Sequence, residues 1–296
     1  MLSFAQILVL ALIQGAAELL PVSSSAHVIV AEKLMGLDPS SPEMVMLLVL
    51  LHTGTMFAMI VYFWKDWRSH YFSAPGKLRW FVLLLVIATF FTGIIGLGLK
   101  AVIEKVFMHG SPHAEVEALF NNLPLMAGSL AAVGVLIIIA GLREEKTTSN
   151  QEIQPAHAVW IGLVQGLCLP FRGFSRSGST ISTGLLLGLP KKALEEFSFA
   201  LAVVLTPAII FEGLHHLHKH QLPGNHVSMA HLLAPGLVGM ACSFFAGLLA
   251  LKWLSRWLEG GRWKFFGFYC LAAAAVVLAI HFKLAALLRP AGLISP

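Results

Sequence analysis

The chain has 296 residues, of which 57% are hydrophobic and only 12% charged. A soluble domain carries about 25% charged residues, so this composition excludes an ordinary water-soluble globule, and several apolar runs reach the roughly 20 residues that a bilayer crossing needs. The net charge of +5 matters through its distribution across a membrane, and nucleic acid is not expected as a partner.

The first segment, "MLSFAQILVLALIQGAAELLP", lacks a basic leader region and is interrupted by Gln14 and Glu18. It makes a poor signal peptide and reads as part of the mature protein. Residues 4–36 hold two short apolar halves around the break "LLPVSSSAH". Spans follow at about 43–63, 80–100 and 123–142. Residues 156–189 repeat the broken pattern around "CLPFRGFSRSGST", and further spans follow at about 194–211, 232–254 and 265–288. Halves this short cannot cross about 30 Å of hydrocarbon at 1.5 Å per residue. A break at membrane depth is tolerated only where protein or a wet cavity covers it. Each broken region is therefore expected to be a re-entrant hairpin. No segment shows the period-two alternation of a barrel strand, so the fold class is all-α integral membrane, with six transmembrane helices and two re-entrant helical hairpins.

The two broken regions resemble each other. Gln14 and Gly15 match Gln165 and Gly166, and Pro21 falls near Pro170. Ser23 and Ser25 match Ser175 and Ser177, Gly36 and Leu37 match Gly188 and Leu189, and Glu43 and Thr53 match Glu196 and Thr206. The offset in the later matches stays between 151 and 153, which indicates a duplication with halves 1–142 and 156–296. A hairpin returns to its own side and three spans do not, so the halves are expected to be inverted. Both breaks then approach the midplane, and the positive N-terminal ends of two half-helices face one cavity.

Outside the breaks, twelve Lys and Arg fall on one side and six on the other. The positive-inside rule places the larger set in the cytoplasm and both termini outside. The first hairpin and the His-rich loop 212–231 then lie outside as well. Cys168, Cys242 and Cys270 lie in apolar segments without metal-like spacing and read as buried small hydrophobes. Trp64, Trp67, Trp253 and Trp257 read as an interface belt, and His215–His220 as solvated surface rather than a metal site.

Gln14 and Glu18 are four apart and share a helix face. Pro21 ends that half-helix, and Ser23, Ser24 and Ser25 are expected to supply N-cap oxygens to the next, which carries His27 in its first turn. Arg176, between Ser175 and Ser177, is either a structural partner of Glu18 or a phosphate grip, for which a planar guanidinium is suited. The surplus of anion-binding groups over acids favours phosphate. Glu43 and Glu196, at the starts of spans, read equally well as helix-end charges or as site residues.

These residues resemble the bacterial undecaprenyl-diphosphate phosphatase family associated with bacitracin resistance. One motif is the (E/Q)xxxE helix followed by PxSSxxH, here Gln14, Glu18, Pro21, Ser23, Ser24 and His27. The other is GxSRSGxTI, here Gly173, Ser175, Arg176, Ser177, Gly178, Thr180 and Ile181, with "EFSF" at Glu196–Phe199. The resemblance implies hydrolysis of a C55 polyprenyl diphosphate in the bacterial cytoplasmic membrane, with Mg²⁺ or Ca²⁺ as cofactor. It implies catalytic roles for Glu18, His27, Arg176 and Ser24, with Glu18 as the metal ligand. Gln14, Ser23, Ser25, Ser175, Ser177, Gly178 and Thr180 become substrate-binding candidates. Either His27 or Ser24 could be the nucleophile, and a homodimer is compatible with the sequence, which does not fix the oligomeric state. Two departures stand out: Arg172 occupies a family proline position, and Ser25 with Ala26 replaces a Thr-Gly pair. A transporter or flippase for a phosphorylated lipid or small anion is the alternative, because paired broken helices in inverted repeats also build transporters.

Overall fold

A computed structural model describes residues 2–38, 41–107, 122–144, 151–220 and 229–288. Among these the chain forms ten α-helices and no strand. They are α1 (Phe4–Leu19), α2 (Ser24–Leu34), α3 (Pro42–His70), α4 (Pro75–Phe107), α5 (Leu123–Glu144), α6 (Pro155–Cys168), α7 (Arg176–Leu186), α8 (Lys191–His220), α9 (Met229–Glu259) and α10 (Trp263–Leu288). Five contain stretches long and apolar enough to cross a membrane: Met44–His70, Pro75–Ile103, Leu123–Arg143, Leu233–Glu259 and Trp263–Lys283. The chain is a multi-pass helical membrane protein. α8 forms where another span is expected. It opens with Lys191, Lys192, Glu195 and Glu196, and it continues through His220, so the supposed loop at 212–231 is helical over its first part. The side chains of His215–His220, and that of Glu43, lie outside the described residues.

Local chemistry sets the helix ends. Ser3 and Gln6 close a reciprocal capping box at the start of α1. Ser41 accepts from the Met44 N–H at 3.4 Å, with Pro42 in the first turn of α3. The breaks fall where expected, between α1 and α2 and between α6 and α7. α1 packs on α2 and on α9, and α6 packs on α7 and on α4. α3 packs on α8 and α9, and α5 packs on α10 and α7.

The outside of this assembly is apolar. Val86, Phe90, Ile94 and Leu97 on α4, Phe245 and Leu249 on α9, and Phe282 on α10 are all exposed. A surface of that kind is costly in water and costs nothing against lipid tails. Polar residues concentrate inside instead: Gln14, Ser24, Ser175, Ser177, Thr180 and Glu196 are buried. Of the four tryptophans assigned to an interface belt, Trp64 and Trp253 are exposed, but Trp67 is buried in the main core. Its indole N–H donates to the Glu196 carbonyl at 3.2 Å, and that buried partner outweighs the interfacial preference.

The α5–α10 contact depends on backbone approaching backbone. A Cβ on Gly267 would lie 2.5 Å from the Gly134 carbonyl oxygen and 2.6 Å from Cγ1 of Ile138. Gly267→Leu is therefore expected to lower the thermal midpoint of the detergent-purified protein by the equivalent of about 1–3 kcal/mol. Gly93→Ala, where an added Cβ meets nothing within 4 Å, should stay within about 0.5 kcal/mol of wild type.

Candidate active site

Glu18 is the penultimate residue of α1. Leu20, ahead of Pro21, takes extended backbone (φ −81°, ψ 152°), as a residue before proline prefers, and α1 ends there. Three donors converge on the Glu18 carboxylate. Gln14 Nε2 donates to Oε2 at 3.3 Å and Ser24 Oγ donates to the same oxygen at 2.5 Å. Arg176 Nη2 donates to Oε1 at 2.8 Å. The two side chains of the ion pair are only 16% and 19% exposed, so each charge depends on the other for compensation. His52 Nε2 lies 3.9 Å from Oε2, while its Nδ1–H donates to the Leu48 carbonyl at 2.8 Å. Nη1 of Arg176 is buried with no hydrogen-bond partner among the described residues.

His27 occupies the neighbouring position on α2. Ser23, just before that helix, has φ 67°, the only positive φ at a non-glycine residue among the described residues. Such strain is tolerated where the surroundings hold it. The Ser23 carbonyl accepts from Nδ1 of His27 at 2.8 Å. With Nδ1 protonated, Nε2 carries the lone pair, and it accepts from the Tyr269 hydroxyl at 2.7 Å. The two rings stack, with centroids 5.7 Å apart. Ser23 does not cap α2 through its side chain, contrary to the expectation for the serine run. Its hydroxyl pairs with that of Ser25 at 3.3 Å, and Ser24 is turned to Glu18. The unusual turn falls at Ser23 and not at Ala26, which is helical, so the Thr-Gly replacement leaves no strained residue behind.

The second break does provide a capped helix. Ser175 Oγ accepts from the Gly178 N–H at 3.2 Å, and Ser177 Oγ donates to the Leu20 carbonyl at 3.3 Å. A Cβ on Gly178 would stand 3.2 Å from the Pro21 carbonyl oxygen, so glycine lets the two breaks touch. Thr180 turns away from Glu18: its hydroxyl donates to the Arg176 carbonyl at 2.8 Å and pairs with Ser198 at 2.6 Å. Gln165, the counterpart of Gln14, donates to Thr92 at 2.9 Å. Glu196 lies beyond the first turn of α8, with its carboxylate oxygens 3.0 and 3.1 Å from Nδ1 of His70, so it is a partner of α3 and not a helix-end charge.

The structure thus gathers Gln14, Ser24 and Arg176 around the Glu18 carboxylate, while His27, three residues past Ser24 on α2, bonds to the Ser23 carbonyl and to Tyr269. It adds His52 and Tyr269, which the sequence reading passed over. His52 could have been flagged as an ionisable side chain inside a span. Tyr269 has no local signal, because it meets His27 across 242 residues. A second group, Asp66, His70 and Glu196, has ligand atoms within 4.8 Å of one another, but Lys192 Nζ is already 2.9 Å from Asp66.

These features define a polytopic membrane protein with a partly buried acid–arginine pair, and a histidine on the neighbouring helix, where two broken helices meet. The sequence profile of the bacitracin resistance protein BacA family matches residues 7–276. The chain belongs to that family. It is 55% identical over 280 residues to undecaprenyl-diphosphatase 2 of Acinetobacter baylyi, covering 93% of this chain and 96% of the relative. It is 34% identical to the undecaprenyl-diphosphatase of Desulfosudis oleivorans, over 93% and 97% of the two chains. Identity to the enzyme of that name in Rhodopirellula baltica is 31%, over 94% and 98%.

Removing one partner from a buried pair leaves the other charge uncompensated. Arg176→Ala is expected to destabilise the protein by about 3–5 kcal/mol. Adding Glu18→Gln to that variant should recover part of the loss, measured as the shift in denaturation midpoint in detergent.

Proposed function

We propose that this chain is an integral-membrane phosphatase that hydrolyses undecaprenyl diphosphate to the monophosphate and inorganic phosphate. The observation that carries the reading is the free Nη1 of Arg176, a buried cationic donor beside a carboxylate, a serine and a histidine. Relatives over nearly the full length bear the corresponding name. Arg176 holds the terminal phosphoryl group, and the N-terminal turn of α7, with the Ser175 hydroxyl, adds donors around it, Ser177 and Gly178 serving to shape that turn against the first break.

The hydrogen bond from Ser24 to Glu18 supports Ser24 over His27 as the attacking group. Its Oγ bonds to the terminal phosphorus, its proton passes to Glu18, and the phosphoanhydride bond breaks to release prenyl monophosphate. Water, deprotonated at Nε2 of His27, then cleaves the phosphoserine. Glu18 and the phosphate oxygens together form the hard-oxygen set that Mg²⁺ and Ca²⁺ take, so Glu18 would hold the ion. When bound, a divalent cation offsets charge on the transferring group.

The same reading places α8 as a sixth span and α1/α2 and α6/α7 as re-entrant pairs, with inverted halves 1–142 and 156–296. The packing supports it. Exchanging α1–α5 with α6–α10 turns the α1–α9 contact into α6–α4, and leaves α3–α8 and α5–α10 as self-pairs. The setting is the bacterial cytoplasmic membrane with both termini outside, following the charge asymmetry.

Purified protein in detergent should release phosphate from undecaprenyl diphosphate and lose that activity on chelation. Arg176→Ala should cost at least about 100-fold in kcat, the scale of losing one aimed charge-stabilising group, and Ser24→Ala and His27→Ala should be similarly impaired. Movement of the lipid headgroup across proteoliposomes without phosphate release would overturn the proposal in favour of a transporter.

A further inference from the structure

Among the described residues, Tyr269 is the group from outside the two broken-helix pairs whose side chain bonds to a ring nitrogen of His27. Its hydroxyl donates to Nε2 of His27, and its ring lies parallel to the imidazole with an interplanar angle of 12°. Because Nδ1 is committed to the Ser23 carbonyl, Nε2 is the nitrogen left to accept a proton. The tyrosine hydroxyl therefore occupies the lone pair that hydrolysis requires. This hydrogen bond holds the useful tautomer and at the same time withholds it from water.

A cavity of about 380 Å³ opens beside this contact, and His27 and Tyr269 are its polar margin. The rest of its wall is apolar, including Ile13, Val30, Leu130, Ala273 and Val276. Its size is that of a small-molecule pocket, about 300–1,000 Å³. Tyr269 itself is 48% exposed, so about half of its surface has no packing to hold the ring against displacement. The cavity is chemically unsuited to a phosphate and suited to hydrocarbon, and it lies against the very histidine that must meet the phosphate. A ligand with an alkyl chain attached directly to its diphosphate would fill both places together.

We propose that Tyr269 is a positioning residue that keeps Nε2 of His27 engaged until the prenyl segment next to the diphosphate enters this cavity and displaces the hydroxyl. The inference rests on the phosphatase reading. It couples occupancy of an apolar cavity to release of the base, so that diphosphates without a chain meet a histidine that is still held. The balance of the reaction is unchanged: Nε2 accepts a proton from water once the hydrogen bond from Tyr269 is broken.

The test uses the full-length protein and Tyr269→Phe, which keeps the ring and removes only the hydroxyl. Diethyl pyrocarbonate acylates an imidazole nitrogen only through a free lone pair, and peptide mass spectrometry reads His27 separately from the other histidines. His27 should be modified roughly fivefold faster or more in Tyr269→Phe, the scale of one lost hydrogen bond. Farnesyl diphosphate should slow modification in the variant but speed it in the wild type when catalysis is stopped by chelation. The ratio of kcat/KM for farnesyl diphosphate over inorganic diphosphate should fall by a similar factor in the variant. Equal modification rates in the two proteins, or an unchanged ratio, would overturn the proposal. A wild type that hydrolyses neither compound nor undecaprenyl diphosphate would instead count against the phosphatase reading, and the modification rates would still report on Tyr269.

Discussion

The pairing of Glu18 with Arg176 is the constraint on which the rest depends. The two residues are separated by 158 positions and both are mostly buried. Within a medium that solvates ions poorly, neither charge is tolerable alone. Their meeting forces the break after α1 and the break after α6 into one place. That in turn requires the intervening helices to bring the two ends together. The contacts at the breaks follow from this: Ser177 reaches the Leu20 carbonyl, Cys270 Sγ donates to the Pro21 carbonyl at 3.4 Å, and glycine at 178 admits the close approach.

The proposed duplication accounts for how one carboxylate comes to be gripped from two directions. With the offset of 152 seen at the serines, Arg176 stands at the position of Ser24. The two residues open equivalent helices, and they bond the two different oxygens of Glu18. The same offset puts Ser179 opposite His27. Each of these side chains donates to the carbonyl four residues back, His27 to Ser23 and Ser179 to Ser175 at 2.7 Å. The backbone geometry has been kept while the chemistry diverged. In the second break's helix Ser179 is fully buried and paired with Cys168.

Much of this could be read from the chain because it is written in local signals. Proline and serine within an apolar run mark the breaks, the spacing of Gln14 and Glu18 marks a shared face, and an arginine without a neighbouring acid demands a distant one. What escaped is long-range or conformational. Nothing local says that Tyr269 meets His27, or that His70 meets Glu196. The positive φ at Ser23 could not be read either, because serine is a poor indicator of that conformation compared with glycine. Helix lengths were underestimated for a different reason. Charged and aromatic residues such as Lys65, Asp66 and Trp67 end an apolar run without ending a helix, and α3 carries on to His70.

Arg172, which departs from the family motif, fits the same electrostatic logic. Glu32 on α2 is fully buried, neither of its carboxylate oxygens has a hydrogen-bond partner among the described residues, and Arg172 lies within its electrostatic reach. In both associations the acid comes from the first half and the arginine from the second. A duplicated chain has two like halves that could in principle pair with copies of themselves. Placing both acids on the α1/α2 pair and both arginines at the break before α7 or on its first residue removes that ambiguity, since two copies of the α1/α2 pair would bring four uncompensated carboxylates together. Opposite charges on the two broken-helix pairs favour their mutual docking, in the way that opposed charges select partners at other interfaces. Arg172, within electrostatic reach of Glu32, adds a second complementary acid–arginine association beside the Glu18–Arg176 ion pair.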